Sequence, residues 1–347
     1  MPPPRTADME HVFFPPLSRV AVCGGTHGNE MSGVYMLREL KKRHIEQDGP
    51  VSLITVLSNP RAVESCRRYI DKDLNRCFTS QMLRQVEKNL GPLTDDTPYE
   101  LKRAHELNAQ LGPKGSQEAV DLLCDIHNTT SNMGLCLILY SADWIPLHIL
   151  KHIQSKMTST PVRAIFIDLP ASESYSLESV GKHGLTLEVG PQPNGVLRAD
   201  IYNLVKEAVE LTFEFVQKFN AGHTFEGGEV EAYTMEDSVD YPRDPTTGEI
   251  TASVHSELQV RHDRQRALAR WSPGLIFHSP LLQDRDFKLL KPGDPIFKRF
   301  SGETVTYKGE ELYPFFINEC AYYEKKIAFV LGEKVKLTLP PISVQKD

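Results

Sequence analysis

Along the first two thirds of the chain, short apolar runs alternate with helical patterns. RVAVCGG (19–25), VSLITVL (51–57), AVDLLCDIH (119–127), LCLILY (135–140), VRAIFID (162–168) and GLTLEVG (184–190) have the length and apolar content of buried strands. GVYMLRELKKRHIE (33–46), between the first two, carries its apolar residues at helical spacing. Such alternation predicts crossover units and an α/β fold on a largely parallel or mixed sheet. In sheets of that kind sites gather where strands end in loops, which directs attention to His27 and Glu30, to His127 and to Glu188.

RADIYNLVKEAVELTFEFVQKFN (198–220) puts Ile201, Leu204, Val205, Ala208, Leu211, Phe215, Val216 and Phe219 on one stripe, with Asp200 placed to cap the helix. This helix is expected to close a domain spanning 17–220, after a flexible N-terminal segment 1–16. Beyond Gly222 the pattern changes to EGGEVEAYTMEDSVDYPRDPTTGEI, rich in turn residues and short β-prone runs. A smaller β domain is expected over 221–335, with a tail over 336–347. HSELQ (255–259) nearly recurs as HSPLLQ (278–283) around the basic VRHDRQRALARW, so an insertion is expected at about 260–280.

Composition narrows the class. The 347 residues are 40% apolar, enough for a large core. Net charge is −7 with scattered basic residues, which argues against nucleic-acid partners and against a polybasic membrane patch. The N-terminal MPPPRTADMEHVFFPPLS lacks the basic flank and apolar centre of a signal peptide, and no run is long enough for a transmembrane segment. Six cysteines without a CxxC pair read as reduced thiols, so a cytosolic compartment is expected.

The stretch GGTHGNE (24–30) lacks the Gly-Lys-Ser/Thr ending of a phosphate loop, and Glu30 would repel phosphate. His-x-x-Glu at a turn entering a helix can instead aim an imidazole and a carboxylate at one metal ion, and a distant second histidine completes a catalytic His₂Glu set. His127 is the candidate, since its strand delivers Asp125 to the same face as a carboxylate able to orient the ring. An ordinary polar turn at 27–30 and a loop-stabilising role for His127 are the plain alternatives. CRRYIDKDLNRCF (66–78) carries Arg67, Arg68, Asp71, Asp73, Asn75 and Arg76, fit either to recognise a carboxylate and stabilise an oxyanion or to form a solvated ion-pair loop. Glu188 interrupts an apolar strand and is either a proton-transferring carboxylate beside a metal or an edge-strand residue facing water.

Five collinear motifs go further. GGTHGNE, NPRAVESCRRYIDKDLNR (59–76), DIHNTTSNMG (125–134), LEVGPQPNGVLRAD (187–200) and FINECAYYEK (316–325) closely resemble the aspartoacylase and aminoacylase-3 family of zinc carboxypeptidase-like deacylases. The match runs over about 17–332, apart from 260–280. It implies a zinc carboxypeptidase-like mixed-sheet catalytic domain followed by a smaller C-terminal β domain. It also implies one Zn(2+) per subunit on His27, Glu30 and His127, with Glu188 as general base and acid and Arg68 on the scissile carbonyl and its oxyanion. Asn75, Arg76 and Tyr322 would clamp the substrate's α-carboxylate, the C-terminal domain bringing Tyr322 over the site.

One departure bears on the substrate. Aspartoacylase carries an arginine for the aspartyl side chain ten residues before the catalytic glutamate, where this chain has Glu178, a residue that would repel an acidic side chain. The resemblance therefore leans to the aminoacylase-3 branch, with small-molecule N-acyl aromatic or neutral amino acids and N-acetylcysteine S-conjugates as substrates. An aspartoacylase-type hydrolase of N-acetyl-aspartate, a metallocarboxypeptidase and a catalytically impaired binding relative are the alternatives. The resemblance further implies a homo-oligomer, a cytoplasmic location and peripheral association with the apical membrane. Cys320 stands where the family has alanine.

Overall fold

The computed structural model describes residues 9–42, 51–88, 96–140, 143–259 and 286–345. In order come β1 (Val12–Phe14), β2 (Arg19–Gly24), α1 (Met31–Lys42), β3 (Ser52–Leu57), α2 (Pro60–Glu64), α3 (Ser80–Lys88), α4 (Tyr99–Leu111), β4 (Leu122–Asn128) and β5 (Gly134–Tyr140). Then follow α5 (Trp144–Lys156), β6 (Val162–Ile167), β7 (His183–Gly190), α6 (Ala199–Asn220) and β8 (Gly228–Thr234). The short elements β9 (Asp237–Val239), β10 (Ala252–Val254), α7 (Ser256–Gln259), β11 (Pro295–Arg299), β12 (Thr304–Thr306), β13 (Tyr313–Phe315) and β14 (Phe329–Gly332) precede β15 (Lys334–Leu339) and β16 (Ile342–Val344). Two compact units result: 1–128, 134–234 and 335–347 form the first, 129–133 and 235–334 the second.

All six predicted apolar runs are strands of one eight-stranded mixed sheet in the first unit, ordered β15-β8-β6-β5-β7-β4-β2-β3. β2 pairs parallel to β3 and β4, and β4 pairs parallel to β7, while β5 runs antiparallel to β7. Every residue of β4 is buried, as a strand covered on both faces requires. Side-chain alternation divides the sheet between two cores. Val20, Val22, Leu122, Cys124, Ile126, Leu185, Leu187 and Val189 pack with α1, α5 and α6 on one face. Ala21, Cys23 and Leu123 pack with Phe78, Leu107, Leu111, Leu177 and Val180 on the other. Asp125 and His127 share parity with Leu123, and the register sets Thr186 beside Asp125 and Glu188 beside His127. All four polar residues therefore project from the second face.

Helix α6 forms as the stripe predicts. Ile201, Val205, Ala208, Phe215, Val216 and Phe219 are buried, while Leu204 and Leu211 pack against the core at its margin. Asp200 does not cap it. The helix begins at Ala199 with Arg198 in the cap position, so Asp200 lies in the first turn with its carboxylate on Arg198 at 2.6 Å. There its negative charge favours the helix through the dipole.

The boundaries are drawn differently from those expected. Residues 221–234 and 335–347 belong to the first unit, because β8 pairs with β6 and buries Val230 and Ala232, and β15 pairs beyond it. Val12–Phe14, inside the segment expected to be flexible, run parallel to β16 with Val12 opposite Ile342. The insertion expected at 260–280 lies outside the described residues.

Among the described residues, the second unit has two antiparallel three-stranded sheets, β10-β11-β12 and β13-β14-β9, around Tyr241, Phe297, Ile317 and Phe329. The loop 129–133 is anchored within this unit. The Glu319 carboxylate accepts from the Thr129 hydroxyl and from Thr130 N at 2.7 Å, and Ser131 Oγ donates to Ile317 O at 2.9 Å. Among the described residues no helix is long and apolar enough to cross a membrane. All six cysteines are free thiols; Cys66 and Cys320 are exposed and the other four buried.

Candidate metal centre

The loop after β2 is built for close approach. Gly25 adopts φ 68°, in the left-handed region. A Cβ on Gly28 would stand 2.0 Å from the Ala62 carbonyl carbon, so only glycine lets the loop pass this near to α2. Gly28 N also donates to Arg68 O at 3.2 Å, tying the loop to the arginine segment. Between these glycines and α1, His27 and Glu30 turn inward and are buried, at 4% and 5% exposure.

There they meet His127 from β4. Nδ1 of His27 lies 2.7 Å from Glu30 Oε1, Nδ1 of His127 lies 2.9 Å from Glu30 Oε2, and the two Nδ1 atoms are 3.1 Å apart. One nitrogen from each ring and one carboxylate oxygen thus fall within 4.8 Å of one another. Asn128 N donates to Glu30 Oε2 at 2.9 Å, fixing the carboxylate.

The outward nitrogens are also answered. His27 Nε2 meets Asp73 Oδ1 at 3.0 Å, and His127 Nε2 meets Asp125 Oδ2 at 2.8 Å. Asp125 is in turn held by the Thr26 hydroxyl, 2.8 Å from Oδ1. An Nε2–H donated outward leaves the Nδ1 lone pair facing inward, the tautomer a metal-binding imidazole needs. Burial opposes charge on Glu30, yet the imidazoles, His27 foremost, outweigh it and hold the carboxyl well below its usual range. Burial likewise opposes charge on His127, but the Asp125 and Glu30 carboxylates push its pKa up well above that of an ordinary histidine. Three buried carboxylates around two imidazoles make a donor set that suits a divalent cation, and two nitrogens with one carboxylate suit zinc chemically.

The segment after α2 supplies the neighbouring groups. The buried Glu100 carboxylate of α4 accepts from the backbone N of Ile70, Asp71 and Lys72 at 2.7–3.0 Å, which holds this segment against the site. Arg68 sends Nη1 to Glu30 Oε1 and Nη2 to Asp73 Oδ2, each at 3.3 Å. Asp73 caps the 3-10 turn Leu74–Arg76 by accepting from Asn75 N, so one carboxylate orients His27, Arg68 and Asn75 together. Burial would raise the Asp73 carboxyl, but His27 and then Arg68 hold it far below its usual range. Asn75 is buried with its amide nitrogen 3.2 Å from His127 Nε2, while its Oδ1 accepts from Leu177 N. Arg76 lays its guanidinium over the Tyr175 ring at 4.4 Å.

The sequence-derived candidates thus divide. His27, Glu30, His127, Arg68 and Asn75 come together, Arg76 adjoins them, and Glu188 neighbours His127 in register on the same face. Glu178 lies in the 3-10 turn Leu177–Val180 at 1% exposure, with Oε1 on the Ser176 hydroxyl. Burial raises its pKa. Tyr322 lies in the second unit, in the 3-10 turn Cys320–Lys325, with its ring centroid 5.3 Å from that of Phe316.

Comparison with known proteins fits this geometry. The model of the succinylglutamate desuccinylase/aspartoacylase catalytic domain matches residues 16–216, and that of the barrel-sandwich hybrid domain of the same group matches 261–334. The chain belongs to the succinylglutamate desuccinylase/aspartoacylase family. A zebrafish (Danio rerio) relative, N-acyl-aromatic-L-amino acid amidohydrolase (carboxylate-forming) B, is 56% identical over 98% of this chain and 100% of its own. A Homo sapiens relative of the same enzyme name is 46% identical over 94% and 93% of the two chains. The crystal structure of murine aminoacylase 3 superposes with a TM-score of 0.82 at 42% identity, covering 94% of this chain and 99% of the other.

Within this family site, nothing in the sequence marks the parts played by Asp73 and Glu100. Asp73 is one acid among several in a charge-dense stretch, and Glu100 is an acidic residue in an ordinary amphipathic helix. Only the fold reveals that one joins a histidine to an arginine and the other receives three successive backbone amides.

Proposed function

We propose that this protein is a zinc-dependent amidohydrolase that deacylates N-acyl, mainly N-acetyl, aromatic or neutral L-amino acids and N-acetylcysteine S-conjugates, releasing a carboxylate and the free amino acid. The observation that carries the reading is the buried convergence of His27, Glu30 and His127 beneath Arg68, with Asp73 and Asp125 on the outward nitrogens. The names of the full-length relatives support it. When bound by these three residues, zinc supplies Lewis acidity and lowers the pKa of water. Arg68 donates to the scissile carbonyl oxygen and to the negative charge that develops on it. Glu188 takes a proton from the attacking water as its oxygen bonds to the acyl carbon, and delivers that proton to the amide nitrogen as the C–N bond breaks. Asn75 and Arg76 hold the α-carboxylate, and Tyr322 joins them on the strength of the family resemblance. Glu178 disfavours an acidic side chain, since a second carboxylate beside it would be repelled.

The same resemblance supports one zinc per subunit, a homo-oligomer and a cytoplasmic location with peripheral apical-membrane association. The test of substrate class is the kcat/KM for N-acetyl-L-phenylalanine and N-acetyl-L-tyrosine against N-acetyl-L-aspartate. The aromatic substrates are expected to lead by about tenfold or more, as a repulsive element at the side-chain position implies. Faster turnover of the aspartate derivative would overturn the aromatic assignment in favour of an aspartoacylase-type activity.

A further inference from the structure

Helix α4 places two charged side chains, Glu100 and Arg103, on one face a helical turn apart, and neither takes part in the proposed reaction. Both reach the excursion that leaves β3 at Leu57 and passes through α2 to the 3-10 turn at Leu74. Arg103 donates from Nε to Ser58 O at 2.7 Å and from Nη2 to Leu57 O at 3.1 Å, holding the start of the excursion. Glu100 holds its later part. Its Oε1 accepts from Ile70 N at 2.7 Å and from Asn59 Nδ2 at 3.2 Å, and its Oε2 accepts from Asp71 N and Lys72 N, each at 3.0 Å. The attachment is reciprocal: α4 has Pro98 at its cap position without a side-chain cap, and the Asp71 carboxylate accepts from Tyr99 N at 2.8 Å in its place.

We propose that Glu100 is a positioning residue for Arg68: by gathering three successive backbone amides it fixes where the guanidinium stands beside the metal centre. The inference rests on the reading of Arg68 as the group that meets the scissile carbonyl, and adds what sets that group's place. Residues 65–73 form neither helix nor strand, so no ladder of backbone hydrogen bonds locates them. The pinned amides lie between Arg68 and Asp73, whose side chains meet at 3.3 Å. Displacing this backbone therefore moves the guanidinium together with one of the two carboxylates it rests on. Arg68 O also accepts from Gly28 N, so the displacement bears on Arg68 from one side while the metal loop holds it from the other. An oxyanion donor works only when aimed at the oxygen's place in the transition state, and an error of about 1 Å can cost about a hundredfold.

The choice of residue fits this task. Burying a carboxylate is costly, and Glu100, at 0% exposure, has amide N–H groups as its hydrogen-bond partners. An apolar side chain would fill the space but leave the three backbone amides without this acceptor. A carboxylate meets them all because each oxygen offers two lone pairs. Glutamine keeps the shape yet turns an NH₂ group toward at least one of those amides, since only one of its terminal atoms accepts. Asp71 is exposed, so its substitution loosens the same backbone from α4 without opening the core.

The test is a double-mutant cycle on N-acetyl-L-phenylalanine, with zinc-loaded wild type, Glu100→Gln, Asp71→Ala and Arg68→Ala, and with each of the first two substitutions combined with Arg68→Ala. Glu100→Gln is expected to lower kcat by about tenfold to a hundredfold with zinc per chain unchanged and KM within about threefold, and Asp71→Ala by about threefold to tenfold. In the Arg68→Ala background each should cost less than about twofold, because the group through which they act is gone. A residue that only supports the fold would cost the same factor in both backgrounds, so losses that multiply in full would overturn the proposal, as would wild-type kcat in Glu100→Gln. Loss of zinc in Glu100→Gln would also overturn it, by assigning the residue to the metal loop through Asn59, whose N donates to Gly25 O. If Glu100→Gln is not recovered folded, the Asp71 pair decides by the same criterion. Turnover by the wild type and its loss in Arg68→Ala are measured first: absence of either defeats the reading of the reaction and the proposal with it, whereas their presence with multiplying losses defeats only the role of Glu100.

Discussion

Replacing Glu188 with alanine is expected to lower kcat for N-acetyl-L-phenylalanine by about a hundredfold to ten-thousandfold, with bound zinc unchanged and KM within a few-fold. Glu188 is paired in register with His127 on adjacent parallel strands, so its side chain leaves the same face at the strand spacing of about 4.8 Å. That places a carboxylate next to the candidate ligands but outside the three that converge. A group so placed can move a proton without being spent on coordination. Loss of proton transfer falls on the chemical step, which is why kcat and kcat/KM should drop together. Unchanged turnover in this variant would refute the mechanism, and loss of zinc along with activity would move Glu188 into the metal's own coordination.

The second large effect is expected at Arg68. Removing an oxyanion donor commonly costs a hundredfold to a thousandfold in kcat, about 2.7–4 kcal/mol. Arg68→Ala should reach that range, because the side chain is largely buried and aimed at the site by two carboxylates. Arg68→Lys should recover little of the loss, since one ammonium cannot reproduce a planar fork resting on Glu30 and Asp73 together. Steady-state kinetics check this. A rise in KM with kcat intact would assign Arg68 to ground-state binding and remove it from oxyanion stabilisation.

Much of this site was readable from the sequence because strands and tight turns carry their geometry in their pattern. Parity along β4 puts Asp125 and His127 on one face from the sequence alone, whereas the register with β7 that sets Glu188 beside His127 is visible only in the fold. Loop and partner choices were less legible. Nothing in IDKDLNR distinguishes Asp73, which bridges His27 and Arg68, from Asp71, whose carboxylate accepts from Tyr99 N. Glu100 reads as a solvent-facing helix residue, yet it is fully buried because three backbone amides converge on it. The edges of the first compact unit are not marked in the sequence for a related reason. β8 and β15 mix polar with apolar residues where the other six strands are apolar runs, and only their pairing assigns them to the large sheet.

The account stands on a metal ion held by His27, Glu30 and His127, so the most direct measurement is zinc reconstitution of chelator-stripped protein, following N-acetyl-L-phenylalanine hydrolysis against zinc bound per chain. The account predicts that the stripped protein is inactive, that activity rises in proportion to bound zinc and levels off at one ion per chain, and that His127→Ala neither retains the ion nor regains the rate. Full activity in the stripped protein, or wild-type zinc binding and turnover in His127→Ala, would contradict it.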